Sequence, residues 1–320
     1  MKIVVLDGHT LNPGDLDWSP LQRLGETKIF NRSTREEILE RSADADIVLS
    51  NKAVLDRPVL EKLKNLKLIA VTATGFNNID VTAASELGIL VCNASNYGSA
   101  SVAQHTFALI LELTNQCGLH SNSVKNGAWS QSKDWSYHLR PMVGLAGKTL
   151  GIVGFGNIGQ QVAGIAQGFG MKVLANHKHP ERDQRPGVAF VSLDELLTKS
   201  DIVSLHCPLT NENKGFINAQ NLALMKPSAF LINTSRGPLI NESDLKEALV
   251  SEKIKGAGLD VLSQEPPLPN HPLTAIKNCL ITPHHAWATK ESRQRLMDIV
   301  VNNIKSFIHG TPQNLVTRRS

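Results

Sequence analysis

The sequence predicts an α/β fold built from two doubly wound parallel sheets with a cleft between them. Two observations favour this fold class. Short runs of β-branched residues alternate with helical patterns from the start of the chain, and the same alternation begins again after Gly147. The length of 320 residues, with 41 % hydrophobic and 19 % charged residues, suffices for two domains that each bury a core.

The first series of elements occupies about the first hundred residues. Apolar runs predict strands at residues 3–6, 47–50, 68–72 and 89–92, and amphipathic patterns predict helices at residues 35–42 and 58–63. An apolar segment at residues 101–113 then shows helical spacing, and a polar, tryptophan-bearing stretch follows at residues 115–141. We interpret these two segments as a connecting helix and an extended arm.

The second series opens with a strand at residues 149–155 that runs into Gly154-x-Gly156-x-x-Gly159 and then a helical pattern. Gly154 allows a tight turn, Gly156 lets the backbone approach a pyrophosphate, and Gly159 lets the helix pack close to the strand. The start of the helix adds unpaired N–H groups and a positive dipole. The motif predicts a dinucleotide site in a Rossmann-like domain; a glycine-rich loop without a ligand is the alternative.

The remaining strands complete a predicted six-stranded sheet; they lie at residues 172–175, 202–206, 229–233, 256–261 and 279–282. The last helix, at about 290–308, has no strand after it and is expected to pack against the first domain. We therefore predict a discontinuous substrate domain, residues 1–99 with 286–320. The dinucleotide-binding domain is predicted at residues 100–285 and includes an arm at about 101–146.

The composition argues against several classes of protein. The net charge is +4 and the basic residues are scattered, apart from Arg318 and Arg319, so nothing indicates a nucleic-acid partner. The strand at the start leaves no room for a signal peptide, and no apolar run approaches the ~18 residues of a membrane span, so we expect a cytoplasmic protein. The four cysteines lack metal-ligand spacing; they are interpreted as reduced core residues, and no metal is expected.

Three chemically matched side chains follow neighbouring strands of the second sheet: Arg236, Glu265 and His284. Ligands of open α/β sheets collect at the carboxyl ends of the strands. Arg236 would hold the carboxylate of a 2-keto acid, His284 would donate a proton as the carbonyl accepts hydride, and Glu265 would fix the tautomer of His284. Taken singly, each residue could instead be an ordinary loop residue.

Over essentially its whole length the chain resembles the D-isomer-specific 2-hydroxyacid dehydrogenases, and most of all their hydroxypyruvate reductase or glycerate dehydrogenase branch. The matching stretches are VTATGFNNID (71–80), SVAQHT (101–106), LAGKTLGIVGFGNIG (145–159), LHCPLT (205–210), MKPSAFLINTSRG (225–237) and TPHHAW (282–287). By this resemblance Arg236, Glu265 and His284 fall on catalytic positions.

The resemblance also implies binding residues. The loop amides of Thr74 and Gly75 would receive the substrate carboxylate, with Asn51 near the same pocket, and Asp260 would lie near the nicotinamide carboxamide. The implied cofactor-binding residues are Val102, Gly154, Gly156, Asn157, Ile158, Gly159, His177, Lys178, Cys207, Pro208, Thr234, Ser235, Asp260, His284 and Ala286.

Three other histidines have weaker claims to a role. His285 would point away from His284 if the chain is extended there. His206 is expected to pack or bond near the adenosine side, and His105 to be a structural or interdomain histidine.

The expected acid at the end of the second strand of the dinucleotide domain is missing. Such an Asp or Glu normally receives the ribose hydroxyls of NAD, but this chain has Asn176-His177-Lys178-His179 there. Without that carboxylate a 2′-phosphate is not repelled, and Lys178 or Arg182 could bind it. We therefore favour NADP(H) over NAD(H); a solvated basic loop with a backbone-bound ribose is the alternative.

The sequence thus predicts an oxidoreductase that transfers hydride between NAD(P)H and a small 2-keto or D-2-hydroxy acid, with hydroxypyruvate and glyoxylate as the preferred keto acids. Lactate, phosphoglycerate or formate dehydrogenases are alternatives within the family. A dinucleotide-sensing, corepressor-like binding protein is the alternative from another class. The resemblance also implies a homodimer, in which Trp129 or Trp135 of the arm reaches the partner or simply fills an interface or core.

Overall fold

The computed structural model describes residues 1–317, so the expectation about Arg318 and Arg319 lies outside the described residues. The chain forms two compact units. The first contains Met1–Gly98 together with the chain from Trp287 onward, and the second contains Ser99–Ala286. Each unit is an α/β body with its own parallel sheet, which confirms the predicted fold class.

The strands of both units are short and buried in their central parts. In chain order they are β1 (Lys2–Val5), β2 (Glu26–Ile29), β3 (Ile47–Ser50), β4 (Leu68–Val71), β5 (Leu90–Cys92), β6 (Thr149–Val153), β7 (Lys172–Asn176), β8 (Val188–Phe190), β9 (Ile202–Leu205), β10 (Phe230–Asn233), β11 (Gly256–Leu259) and β12 (Cys279–Ile281). The first sheet has the order β2-β1-β3-β4-β5, and the second has the order β12-β11-β10-β9-β6-β7-β8. Both are parallel throughout, which requires a crossover connection between successive strands, and most of these connections contain a helix.

Two edge strands, β2 and β8, are not among the predicted elements, so the second sheet has seven strands instead of six. Strand β2 alternates exposed Glu26 and Lys28 with partly buried residues, and β8 contains only three residues. An edge strand pairs on one side only and natural edges often carry charged residues, so the apolar pattern that predicts central strands is weak there.

The helices alternate with the strands. In chain order they are α1 (Ser19–Gln22), α2 (Arg35–Ser42), α3 (Arg57–Leu60), α4 (Val81–Glu86), α5 (Ser99–Asn115), α6 (Cys117–Lys125), α7 (Asn157–Gly168), α8 (Leu193–Lys199), α9 (Ala219–Leu224), α10 (Glu242–Val250) and α11 (Lys290–Ile308). Local sequence explains several starts: Thr34 and Glu37 form a capping box on α2, and the Thr289 side chain caps α11.

The core of the first unit lies on both faces of its sheet. One face packs against α2, α3 and α4. The other packs against α11, whose residues Leu296, Met297, Val300 and Ile304 are buried against the apolar side chains of β1, β3 and β4. The final helix of the chain therefore belongs structurally with its first strands.

The second unit has the same layered arrangement. Helices α5 and α7 cover one face of its sheet, and α8, α9 and α10 cover the other. Since every central strand is covered on both sides, its side chains form continuous apolar runs, which is the pattern typical of parallel sheets. The polar side chains that follow the central strands therefore lie in loops at the ends of the sheet.

The predicted extended arm begins with a helix. Gln116 has a left-handed backbone conformation that ends α5, and α6 follows directly. Beyond α6 the arm exposes Trp129, Met142 and, at 88 % exposure, Trp135.

The four cysteines are free thiols. Cys117 on α6 is exposed, so the prediction that it is a core residue is wrong. Among residues 1–317, the structure contains no helix long and apolar enough to cross a bilayer.

Candidate active site

The second sheet reverses its strand order between β6 and β9. The chain runs from β6 outward through β7 and β8, and then returns to β9 and runs outward the other way. Loops diverge at such a point and leave a crevice at the carboxyl ends of the two strands, where ligands of open α/β sheets bind. Gly154 follows β6 and His206 follows β9, and the His206 N–H donates to the Val153 carbonyl.

The glycine turn after β6 has the backbone that a dinucleotide requires. Gly154 has φ of +92°, and a Cβ there would collide with the backbone of His206 and Cys207. A Cβ on Gly159 would collide with the Gly154 carbonyl, so this glycine allows α7 to lie against the turn. A Cβ on Gly156 would meet no atom within 4 Å, so this face of the turn is open.

Gly156 is also the N-cap residue of α7 and provides no side-chain cap. The first turn of the helix, which includes Asn157 and Ile158, therefore presents backbone N–H groups to an anion. An open glycine face beside an uncapped helix start fits the pyrophosphate of a dinucleotide.

The loop after β7 is held by hydrogen bonds to the glycine turn and within itself. The Phe155 N–H of the glycine turn donates to His177 Nδ1 at 3.1 Å, and His177 Nε2 lies 2.8 Å from Asp183 Oδ2. The Nε and Nη2 groups of Arg182 donate to the same Asp183 oxygen at 3.0 and 2.7 Å, and the side chain is otherwise exposed. Lys178 is exposed.

The predicted residues after β9 and β10 meet beside the glycine turn. The Ser235 hydroxyl donates to the Cys207 carbonyl at 2.6 Å, and Pro208 follows directly. Burial raises the pKa of the Cys207 thiol to about 11, so this group stays protonated at neutral pH.

On the α5 side of the same region, the Thr234 hydroxyl lies 3.2 Å from that of Thr106. The Thr106 hydroxyl in turn donates to the Val102 carbonyl at 2.8 Å. The implied cofactor residues Val102 and Thr234 are thus connected through Thr106, which the sequence did not single out.

Arg236 is held in an ordered turn after β10. Asn233 Nδ2 donates to the Arg236 carbonyl at 2.9 Å, while Asn233 Oδ1 accepts from the Ser235 N–H at 3.0 Å. The Arg236 guanidinium donates from Nη1 to the Ser235 carbonyl at 2.8 Å, which leaves its remaining donors available. The next residue, Gly237, is buried, and a Cβ there would collide with the backbone of Leu262. This close approach brings the Arg236 turn against the loop that carries Glu265.

Glu265 and His284 form a hydrogen-bonded pair. Oε2 of Glu265 lies 2.6 Å from Nδ1 of His284, and Oε1 accepts from the Leu262 N–H at 3.0 Å. Because a carboxylate oxygen accepts, the proton of this bond belongs to Nδ1, and Nε2 is the nitrogen directed to other partners. Both side chains are about one-third exposed, so the pair is open to a small molecule.

Asp260 organises the turn in which His284 lies. Its main-chain carbonyl accepts from the His284 N–H at 2.8 Å, and its carboxylate accepts from the N–H groups of His285 and Ala286 at 3.0 and 2.9 Å. The Thr282 hydroxyl donates to the same carboxylate at 2.6 Å. His284 has φ of +50°, so the chain is not extended here and the premise behind the predicted direction of His285 is wrong.

The weaker histidine candidates have structural partners in the second unit. His105 Nε2 lies 3.0 Å from the Thr282 hydroxyl, and its ring packs edge-on against His285. Burial lowers the pKa of His105, although Asp260 opposes the shift. His206 Nε2 lies 2.8 Å from the Ser204 hydroxyl, while its Nδ1 is buried and has no hydrogen-bond partner among the described residues.

His105, Asp260 and His285 also form a group whose ligand atoms lie within 4.8 Å of one another. The Asp260 oxygens in this group are already hydrogen-bonded to a hydroxyl and two N–H groups. These hydrogen bonds connect Asp260 of the group to the turn that carries His284.

The remaining predicted residues belong to the first unit. Asn51 follows β3; its side chain donates to the Thr72 carbonyl at 2.7 Å. The Thr74 hydroxyl donates to the Ala94 carbonyl at 2.8 Å, and Gly75 follows it after β4. Sequence reasoning missed Asp7, which follows β1 and accepts from the N–H groups of Asn51, Lys52 and Ala53. An acidic residue at the end of a predicted strand is the signal that could have found it.

The fold and the glycine turn define a dinucleotide-binding protein of the α/β class. Residues 107–286 match the family described as D-isomer specific 2-hydroxyacid dehydrogenase, NAD binding domain. The chain belongs to this family, the D-isomer-specific 2-hydroxyacid dehydrogenases, and acts as an oxidoreductase on CH–OH donors.

Relatives match the chain from end to end. It is 49 % identical to a hydroxypyruvate reductase of Blautia hydrogenotrophica, over 99 % of this chain and 100 % of that protein. It is 43 % identical to a glycerate dehydrogenase of Methylorubrum extorquens, over 98 % of each chain. Among solved structures, an acyclic imino acid reductase in complex with NADPH and D-Arg is 31 % identical, covers 99 % of this chain and 100 % of its own, and superposes with a TM-score of 0.85.

Proposed function

We propose that this enzyme reduces hydroxypyruvate and glyoxylate with NAD(P)H and, in the reverse direction, oxidises D-glycerate. The observation that carries the proposal is the 2.6 Å hydrogen bond between His284 Nδ1 and Glu265, next to the turn that holds Arg236. The names of the relatives that are 49 and 43 % identical support this choice among 2-hydroxy acids.

Each of the three side chains has a distinct task in this proposal. Arg236 binds the substrate carboxylate with its unengaged guanidinium donors and polarises the neighbouring carbonyl. The bound dinucleotide supplies the hydride. His284 donates the proton from Nε2 to the carbonyl oxygen, while Glu265 keeps Nδ1 in the donor role and fixes the plane of the ring. Thr74, Gly75 and Asn51 remain candidate contacts of the substrate on the grounds of the resemblance.

The residues that would hold the dinucleotide are those of the glycine turn and the neighbouring strand ends. Gly154, Gly156 and Gly159 would form the turn against the pyrophosphate, and Ser235 and Pro208 lie near this turn at the ends of the neighbouring strands. NADP(H) is the proposed preference, because His177 replaces the usual acid and Lys178 adds an exposed positive charge beside it.

A panel of keto acids assayed with both cofactors tests the proposal. Hydroxypyruvate and glyoxylate should give the highest kcat/KM, ahead of pyruvate and 3-phosphohydroxypyruvate, and the product of hydroxypyruvate should be D-glycerate. The His284→Ala variant is the control for chemistry, because it should retain dinucleotide binding. Binding of NAD(P)H without turnover of any keto acid by the wild-type enzyme would contradict the proposal and favour a sensing role.

We further propose that the enzyme is a homodimer formed through the arm. Three large apolar side chains of the arm, Trp129, Trp135 and Met142, are at least half exposed, and Trp and Met are residue types enriched in protein–protein interfaces. Light scattering after size exclusion should give twice the chain mass, and Trp135→Ser combined with Met142→Ser should shift it towards one chain. Val250→Ser, an equally exposed apolar residue on α10, is the matched control.

A further inference from the structure

The loop after β7 retains a carboxylate close to where the sequence has lost one. His177 is the first residue after β7, where a dinucleotide domain normally carries its ribose-binding acid. Asp183 is six residues further along the chain, but its carboxylate lies 2.8 Å from His177 Nε2. An acidic group is therefore present near the end of β7, where the side chain of His177 connects it to the glycine turn.

The direction of the hydrogen bonds shows that the His177 side chain acts as a bridge between the Phe155 N–H and the Asp183 carboxylate. The Phe155 N–H can only donate, so His177 Nδ1 must be the accepting nitrogen. Nε2 then carries the ring proton and donates it to Asp183. Both ring nitrogens are engaged by protein groups, so His177 has no acceptor left for a ribose hydroxyl.

Asp183 has acceptor capacity left. Its side chain is 15 % exposed, and His177 and Arg182 both donate to Oδ2. Its other oxygen, Oδ1, is approached by Gln160 Nε2 at 3.4 Å. Arg182, followed by His177, lowers the pKa of Asp183 to about 2, so the group is an ionised acceptor at neutral pH.

Arg182 complements this carboxylate. Its side chain is 65 % exposed, and its Nε and Nη2 contact Asp183. A guanidinium has five N–H donors, so three remain for another anion. The side chain is long and solvent-exposed, and it can turn towards a new partner without disturbing a packed core.

We propose that Asp183 and Arg182 together read the 2′ position of the adenosine ribose: Asp183 accepts from the 2′-hydroxyl of NAD(H), and Arg182 pairs with the 2′-phosphate of NADP(H). This inference rests on the proposed role of the glycine turn and the β7 loop in dinucleotide binding. The two charges cancel, so the pair does not repel a 2′-phosphate as an isolated carboxylate does. The enzyme therefore accepts both cofactors, and the balance between them depends on these two side chains.

Binding measurements on two variants test the pair without any keto acid. The dissociation constants of NADH and NADPH are measured by fluorescence titration, and those of AMP and 2′-phospho-AMP by calorimetry. Asp183→Asn should weaken the binding of NADH at least tenfold and leave that of NADPH within threefold. The reason is that only NADH has the 2′-hydroxyl that forms the charge-assisted hydrogen bond with the Asp183 carboxylate. Arg182→Gln should weaken NADPH and 2′-phospho-AMP at least tenfold and leave NADH within twofold.

Glu181→Gln is the matched control, since it removes one negative charge from an exposed side chain of the same loop. It should change no dissociation constant by more than twofold. Equal effects of Asp183→Asn on both cofactors, or none, would overturn the proposal. If Asp183→Asn does not fold, the test depends on Arg182→Gln, which changes an exposed side chain. An unchanged ratio of NADPH to NADH affinity in Arg182→Gln then contradicts the proposed role of the two residues. If the variants change the binding of AMP and 2′-phospho-AMP as expected but the wild-type enzyme turns over no keto acid, the proposed reaction is contradicted and the roles of Asp183 and Arg182 are not.

Discussion

Nδ1 of His284 lies 2.6 Å from Oε2 of Glu265, although the two residues are 19 positions apart in the chain. Two features of the backbone make this contact. The N–H of His284 donates to the Asp260 carbonyl in a left-handed turn, and the loop after β11 folds back so that Oε1 of Glu265 accepts from the Leu262 N–H. The imidazole is thereby oriented by a partner that is itself anchored to the backbone, which is the arrangement expected of a group that transfers protons.

Separate removal of each member of this pair distinguishes the proton donor from the residue that orients it. His284→Ala should lower kcat for hydroxypyruvate by about 100- to 10,000-fold, the usual contribution of a general acid. Glu265→Gln should lower kcat by about 10- to 1,000-fold, because an amide can donate to Nδ1 and so select the other tautomer.

Steady-state kinetics and NADH titration together check both variants. The dissociation constant of NADH should stay within about twofold of the wild-type value in each, since neither residue makes the glycine turn. Near-normal turnover of His284→Ala would contradict the assignment of the proton donor. A Glu265→Gln enzyme as active as the wild type would show that the hydrogen bond has no effect on the reaction.

Gly237 should tolerate no side chain. A Cβ at this position would collide with the backbone of Leu262 and Ser263, and neither can move without displacing the loop that carries Glu265. Gly237→Ala should therefore lower the free energy of unfolding by about 1–3 kcal/mol. It should also lower kcat/KM for the keto acid by more than tenfold, since the Glu265–His284 geometry is disturbed.

Gly168→Ala is the matched control for this glycine. An added Cβ at Gly168 has no atom within 4 Å, and the residue ends helix α7. Urea unfolding should show that Gly168→Ala is as stable as the wild type. Kinetic assays should show that it is fully active. An equally mild effect of Gly237→Ala would mean that the β10 and β11 loops are not coupled through this contact.

The sequence was most informative where a residue's neighbours along the chain determine its structure. Gly154, Gly156 and Gly159 form a local turn whose spacing alone specifies a strand, a tight turn and a helix start. Arg236, Glu265 and His284 could be grouped because the carboxyl ends of parallel strands share one edge of a sheet. Strong apolar periodicity likewise predicted the central strands, and failed only at the polar edges β2 and β8.

Contacts set by loop conformation could not be predicted. The return of Asp183 to His177 depends on how a six-residue loop folds, and nothing periodic records that path. The left-handed conformation of His284 is equally hidden, because residues other than glycine rarely adopt it and the hydrogen bond from the His284 N–H to the Asp260 carbonyl forms only in the folded turn. Both contacts join residues that no periodic sequence pattern relates to each other. They nevertheless determine where the side chains of the candidate site lie.

Buried His206 should make the protein sensitive to mild acid. Burial lowers the pKa of His206 from 6.5 to about 3, so between these pH values the unfolded chain binds a proton that the folded chain does not. The free energy of unfolding is therefore unaffected by this residue above pH 6.5 and falls as the pH decreases below it. The expected loss for one such proton is about 2 kcal/mol between pH 7 and pH 5.

Urea unfolding at several pH values between 5 and 7 measures this loss. His206→Gln should show a smaller decrease in the free energy of unfolding than the wild type, by about the contribution of one proton. His309→Gln, which alters an exposed histidine after α11, is the control and should retain the wild-type dependence. The same pH dependence in wild type and His206→Gln would mean that His206 is not the group responsible.

Asp260 should be required for the turn that carries His284. Its buried carboxylate accepts three hydrogen bonds, from the Thr282 hydroxyl and from the N–H groups of His285 and Ala286. In Asp260→Asn one oxygen is replaced by an NH2 group, which would face an N–H donor instead of accepting from it. We expect a loss of about 2–3 kcal/mol in the free energy of unfolding, since a buried donor is left without its charged acceptor. Turnover should fall with it, because the His284 ring is no longer held against Glu265.

Thr282→Val separates the two contributions of this network. It removes only the hydroxyl donor and leaves both N–H bonds of Asp260 intact, so its effect on stability and turnover should be clearly smaller than that of Asp260→Asn. Urea unfolding, kcat and the NADH dissociation constant are measured for both variants. If Asp260→Asn weakens NADH but leaves stability and kcat at saturating NADH unchanged, Asp260 acts on the cofactor alone. In that case the backbone around His284 is held by other contacts, and the role assigned here to the three hydrogen bonds is wrong.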